Sequence, residues 1–251
     1  VSAPRDEFYV GYLPIPPRIA RIALAAVTAA LLWLSILAAL LTSRQDNPGY
    51  GVWEIEVSQF TGRINLEPAP SIDFGEDTIL VVGFNKFGAG PRLQGRNFAT
   101  LSGTVIERDG VRLLELLPGD DAIADAPSEG AAAAQGAWRS AGVQTLVGEI
   151  TDPKCYLGAM KPGTGLTHRG CAALCISGGI PPFFVVERGE GLPARMLVLV
   201  DAAGEPIVGD SLARLLTFVG ERGVRITGEV WRKQSAPFEA MRVDIASVTR
   251  D

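Results

Sequence analysis

The chemistry this chain can do is concentrated in four side chains. Cys155, His168, Cys171 and Cys175 are every cysteine and the single histidine of the protein, and all lie within one stretch, DPKCYLGAMKPGTGLTHRGCAALCISGGIPP. His168 precedes Cys171 by three residues and Cys171 precedes Cys175 by four. A helix over 168–176 therefore presents all three from one face, with Cys155 arriving from a strand end. Three thiolates and an imidazole can close a tetrahedral Cys3His site of the kind that holds structural zinc. Ligation of an iron–sulfur cluster by the same residues is a second reading. A disulfide from Cys155 to Cys171 or to Cys175 is a third, since an exported compartment oxidises thiols; it leaves one cysteine odd and the histidine without a task. A catalytic Cys–His pair needs an activated thiolate beside the imidazole. No oxyanion or orienting group is identifiable in the sequence, so no enzymatic activity is expected.

These residues have to be positioned near a membrane. From Ile22 to Ser43 no charged residue occurs, and Arg21 and Arg44 bound the run. As a helix at ~1.5 Å per residue it matches a hydrocarbon core ~30 Å thick. It shows no polar face, and Leu40-Leu41-Thr42-Ser43 is a poor cleavage site for a signal peptide. Arg5, Arg18 and Arg21 precede the span and Arg44 alone follows it closely. The positive-inside rule then predicts a single-pass protein of a bacterial inner membrane, with a cytoplasmic N-terminus and a periplasmic body. The leading segment EFYVGYLPIPP reads as an arm, too rich in Pro for a regular helix.

After Arg44 alternation of apolar and polar residues dominates. Strands are predicted at 52–66, 78–84, 99–108 and 111–117, then at 145–151, 183–187, 195–201, 224–232 and 241–248. Asp210 is the expected N-cap of a helix carrying Leu212, Leu215, Leu216 and Val219 and stopped by Gly220. The two strand sets echo each other. Phe60-Thr61-Gly62-Arg63-Ile64 parallels Leu146-Val147-Gly148-Glu149-Ile150, and Ser102-Gly103-Thr104-Val105 parallels Thr227-Gly228-Glu229-Val230. A Gly inside a strand marks a bulge or tight bend, which small barrels need to close. The expected fold is mainly β: one N-terminal transmembrane helix followed by two small OB-like β-barrel modules. The expected divisions are an arm (1–18), the helix (19–43), a first module (51–120), an Ala/Gly/Ser-rich linker (121–143) and a second module with the cluster (144–251).

Asp152-x-x-Cys155, then His168-x-x-Cys171-x-x-x-Cys175, then a Gly turn and paired strands resembles small secreted bacterial OB-like proteins of unassigned function. The resemblance covers about 145–248 and departs in the Tyr156–Thr167 insert and in Gly178-Gly179-Ile180-Pro181-Pro182. It implies a fold and an exported location, and no activity.

Composition narrows function by exclusion. The 251 residues carry 47% apolar and 20% charged side chains, with a net charge of −5 and a pI near 5.1. That balance disfavours a nucleic-acid partner, which needs a basic face. The Gly-rich stretch GFNKFGAG (83–90) lacks the phosphate-loop pattern and reads as turn glycine. No C-x-x-C-H exists for covalent haem, and the span has no ionisable residue to relay charge. The expected function is a membrane-anchored, non-catalytic accessory or scaffold subunit of a membrane electron-transfer complex. Its partners are lipid and integral membrane subunits, met through the helix and the arm. The alternative is a free-standing periplasmic metal-binding or redox protein using the Cys3His cluster.

Overall fold

The computed structural model describes residues 15–44, 51–127, 136–189 and 192–251. Phe8, Tyr9 and Tyr12 of the expected arm lie outside the described residues. Helix α1 (Pro17–Ser43) opens with Pro at its first position, where a missing N–H costs nothing, and none of its residues is buried. Its hydroxyls bond back to the preceding turn: Thr28 Oγ1 donates to Leu24 O at 2.8 Å and Ser35 Oγ to Leu31 O at 2.8 Å. A polar group in lipid needs such an internal partner. With a mean hydropathy of 2.4, α1 is long and apolar enough to cross a membrane.

The rest of the chain, Pro48–Asp251, is one compact unit. It holds two closed barrels of five strands each. In the first, β1 (Val52–Asn65), β2 (Ser71–Phe74) and β3 (Asp77–Val82) form a meander, followed by the short helix α2 (Gly90–Leu93) and then β4 (Phe98–Arg108) and β5 (Val111–Leu116). Strand β3 pairs parallel with β5, β5 antiparallel with β4, and β4 antiparallel with β1, which closes the ring. A short β6 (Ile123–Asp125) adds to β4.

The second barrel repeats this connectivity. It runs through β7 (Arg139–Thr151), α3 (Arg169–Ser177), β8 (Phe183–Val186), β9 (Arg195–Val200), α4 (Gly209–Leu216), β10 (Val224–Arg232) and β11 (Glu239–Val243), with β12 (Thr249–Arg250) alongside β10. Here β9 pairs parallel with β11, β11 with β10, and β10 with β7. The order 1-2-3-5-4 of an OB barrel occurs twice.

The echoed glycines explain the shared shape. A Cβ at Gly62 would lie 2.0 Å from Asp73 O, and at the equivalent Gly148 it would lie 2.2 Å from Val185 O. Gly103 and Gly228 stand in the same relation to Glu115 O and Arg242 O. At each point the neighbouring strand crosses too closely for a side chain, so the sheet can curl. Register breaks fall elsewhere, between Glu54 and Val57 and between Glu229 and Trp231.

Some boundaries differ from expectation. The four-residue β2, between Pro70 and Gly75, is too short for alternation to reveal. Helix α4 starts at Gly209 with Val208 before it, so Asp210 lies in the first turn and not at the cap. The strand expected over 241–248 ends at Val243 and gives way to a 3-10 turn, Ile245–Ser247, where Asp244 Oδ1 accepts from Ala246 N–H at 2.9 Å. Within the stretch 121–143, the described ends carry β6 and the start of β7.

Each barrel encloses an apolar interior, around Ile72, Ile79, Leu101 and Leu114 in one and Ile150, Phe184, Leu197 and Ile226 in the other. A third cluster belongs to both. Leu80, Val82, Ile106 and Leu113 of the first barrel pack with Cys155, Tyr156, Leu157, Phe183, Val198 and Phe238 of the second.

Candidate functional site

The long β7–β8 connection, 152–182, builds the site. It leaves β7 at Asp152, whose side chain is fully buried; Asp152 Oδ1 accepts from Cys155 N–H at 2.9 Å and turns the chain into a widened helical turn, Cys155–Ala159. Asp152 Oδ2 lies 3.1 Å from His168 Nε2. His168 precedes the first turn of α3, which carries Cys171 and Cys175, close to the helix expected over 168–176.

The structure brings all four predicted residues together, in two overlapping sets. Ligand atoms of Cys155, His168 and Cys171 lie within 4.8 Å of one another, as do those of Asp152, Cys155 and Cys175. Exposure is 4% at Cys155, 3% at His168 and 1% at Cys175; only Cys171 is partly exposed. The disulfide reading, Cys155 to Cys171 or to Cys175, is corrected. All three cysteines are free, and Cys155 Sγ stands 3.9 Å from Cys171 Sγ, against the ~2.05 Å of a bond.

Asp152 is part of the sequence motif, yet its contact with the imidazole is a fact of folding. One functional residue is missing from the sequence reading: Lys86, from the first barrel, whose Nζ donates to Cys171 Sγ at 2.9 Å and to Cys175 Sγ at 3.7 Å. The loop that carries it, read only as turn glycine, is pressed backbone to backbone against the end of α3. Gly88 N–H donates to Gly178 O at 2.9 Å, and a Cβ on Gly178 would lie 1.9 Å from Lys86 O.

The electrostatics favour split protonation. The hydrogen bond from Cys155 holds the Cys175 thiol below its ordinary range against the pull of burial, with Lys86 and Lys154 helping. Cys155, donating that bond in a buried setting near Asp152, is pushed far up. Lys86 is raised in turn by its bond to Cys171.

Tetrahedral Zn–S bonds of ~2.3 Å put two sulfurs ~3.8 Å apart, and the Cys155–Cys171 separation is 3.9 Å, so Cys155, His168 and Cys171 fit one soft ion. Cys175 falls in the second set, with Cys155 and Asp152. Asp152 would act from behind, as carboxylates orient metal-binding imidazoles.

No family model, curated protein or solved structure matches the chain. The site's own geometry therefore carries the functional argument.

Proposed function

We propose that this is a membrane-anchored protein whose second barrel carries a buried Cys3His centre for a soft divalent ion, zinc above others, with a structural role. The observation that carries this is the convergence of Cys155, His168 and Cys171 within 4.8 Å inside a shell that leaves three of the four ligands buried. Only Cys171 meets solvent, which suits a metal that fixes a long loop against two barrels better than one that turns over a substrate. Three thiolates and one divalent ion sum to one negative charge, which the Lys86 ammonium offsets.

The test is metal analysis of the full chain purified in mild detergent without chelator. About one zinc per chain is expected, with loss of retention in His168→Ala and Cys171→Ser. Iron with visible charge-transfer absorption would favour the cluster reading. Metal-free protein with three titratable thiols would overturn the proposal.

Helix α1 favours a second element. None of its side chains is buried in the described chain, and small residues recur along it at Ala23, Ala26, Ala30 and Ala38, where a neighbouring helix can approach closely. This supports an accessory subunit of a larger membrane assembly, with electron transfer as the proposed setting and the body on the periplasmic side. Stoichiometric partners on mild-detergent purification are expected; a lone monomer counts against it.

A further inference from the structure

The first half of β1 departs from the pattern of a barrel strand. From Phe60 to Ile64 its residues alternate between buried and exposed, whereas Val52–Val57 is exposed at every position. Four of those six residues are large and apolar: Val52, Trp53, Ile55 and Val57, with Ile55 85% exposed. Phe84, which lines one cleft together with Trp53, is half exposed as well. Apolar side chains grouped in this way mark a surface that something covers.

Three observations point to the occupant. Strand β1 pairs with β2 only at Arg63–Asn65, so among the described residues no strand lies along the second edge of 52–58. The bulge between Glu54 and Val57, with the carboxylates of Glu54 and Glu56, discourages a further strand from adding there. A second copy or an extended peptide is thereby disfavoured, and the side chains are left as the means of contact. The Trp53 indole N–H is already spent on Thr104 Oγ1, at 3.0 Å, and Trp is the residue enriched where a bilayer meets water. Only eight residues, 44–51, separate α1 from β1, a length that reaches ~30 Å at most. A membrane-spanning α1 therefore keeps these side chains close to lipid.

We propose that Val52, Trp53, Ile55, Val57 and Phe84 rest on the lipid surface at the headgroup boundary and hold the first barrel against the membrane. This rests on the reading of α1 as a span. Glu54, Glu56 and the net charge of −5 oppose an anionic surface. The contact is apolar, and zwitterionic lipid suits it.

The test uses full chain labelled with ¹⁵N-tryptophan in phosphatidylcholine nanodiscs, with and without a nitroxide on the lipid headgroup. The four indole N–H signals are assigned by single Trp→Phe variants. The nitroxide is expected to relax Trp53 several-fold faster than Trp231. That excess should be largely lost in Ile55→Ser/Val57→Ser, whose exposed side chains leave no cavity behind. Equal relaxation of Trp53 and Trp231 would overturn the contact. So would an excess unchanged in the double variant, which is what a tether alone produces. Trp33, within α1, should respond to a nitroxide placed on the acyl chain; an indifferent Trp33 would overturn the span and the contact with it, whereas a responsive Trp33 beside an unrelaxed Trp53 overturns the contact alone.

Discussion

Asp73 and Lys233 join the barrels by a pair that should dominate the response to a single charge deletion. Lys233 Nζ lies 2.5 Å from Asp73 Oδ1, and the two side chains are only 5% and 6% exposed. Thr78 Oγ1 donates to the same oxygen at 2.7 Å, and Thr78 N–H donates to Ser235 O at 2.8 Å. Lys233→Met keeps the stem and deletes the charge, leaving a buried carboxylate with one hydroxyl. Breaking a buried pair from one side costs ~3–5 kcal/mol, whereas replacing both partners is often close to neutral. Lys233→Met/Asp73→Asn should therefore recover most of the loss, because an amide oxygen still accepts from Thr78. Urea unfolding of the full chain in detergent, with a slope of up to ~3 kcal/mol/M, should show the single variant's midpoint at least ~1 M lower and the double variant's near the parent. The pair is also pH-dependent. Burial raises the Asp73 carboxyl, but the bonds from Lys233 and Thr78 outweigh it and hold the group below its ordinary value. The stability it contributes is thus complete above the unfolded carboxyl's value, ~3.9, and is lost as pH falls toward the folded one. A double variant as unstable as the single, or a single variant within ~0.5 kcal/mol of the parent, would refute the reasoning, since surface substitutions commonly fall in that range.

Glu149 behaves in the opposite sense. Burial pushes its carboxyl up although Gly165 N–H donates to it at 2.5 Å. The unfolded chain ionises first as pH rises, so stability is forfeited above the folded value; Glu149→Gln should gain stability relative to the parent at pH 8 and not at pH 4, by urea titration at both. Gly178→Ala puts a methyl into Lys86 O and should cost ~1–3 kcal/mol while speeding iodoacetamide labelling of Cys171. Gly170→Ala on the same helix meets nothing within 4 Å and should leave labelling unchanged.

Much of this was legible from residue types and alternation. The membrane-length helix, the two strand sets and their echoed glycines follow from local pattern, because a strand glycine at a close crossing leaves the same mark in both barrels. The cluster was legible because its residues are rare and adjacent in sequence. Lys86 was not: it precedes Cys171 by 85 residues, and nothing local distinguishes it from a solvated loop lysine. Nothing local marks Lys154, Lys233, Asp73 or Glu115 as buried either; their partners come from across the chain. The docking of the barrels was itself hidden, because the alternation of Leu80, Val82 and Leu113 with their neighbours does not tell which barrel an apolar face packs against.

The shared core would give a metal at this site a physical purpose. OB barrels commonly take ligands on the face beside the β1–β2 and β4–β5 connections. In the second barrel those are the segments 152–182 and 233–238, and both are spent on the first barrel. Tyr156 O accepts from Arg108 at 3.2 Å, with the Arg108 guanidinium 4.3 Å from the Tyr156 ring, while Lys233 and Ser235 hold Asp73 and Thr78. Polynucleotide binding on that face is thereby closed off. The same use creates a difficulty: a connection well beyond the ~12–15 residues above which loops become uncommon must hold one conformation. Only its turn at Cys155–Ala159 and α3 are regular. A metal clamping Cys155 at one end of the loop to His168, Cys171 and Cys175 at the other would supply the missing constraint, and Lys86, which donates to Cys171 Sγ, would tie that clamp to the opposite barrel. A metal at this point would order the one segment on which the union of the barrels depends.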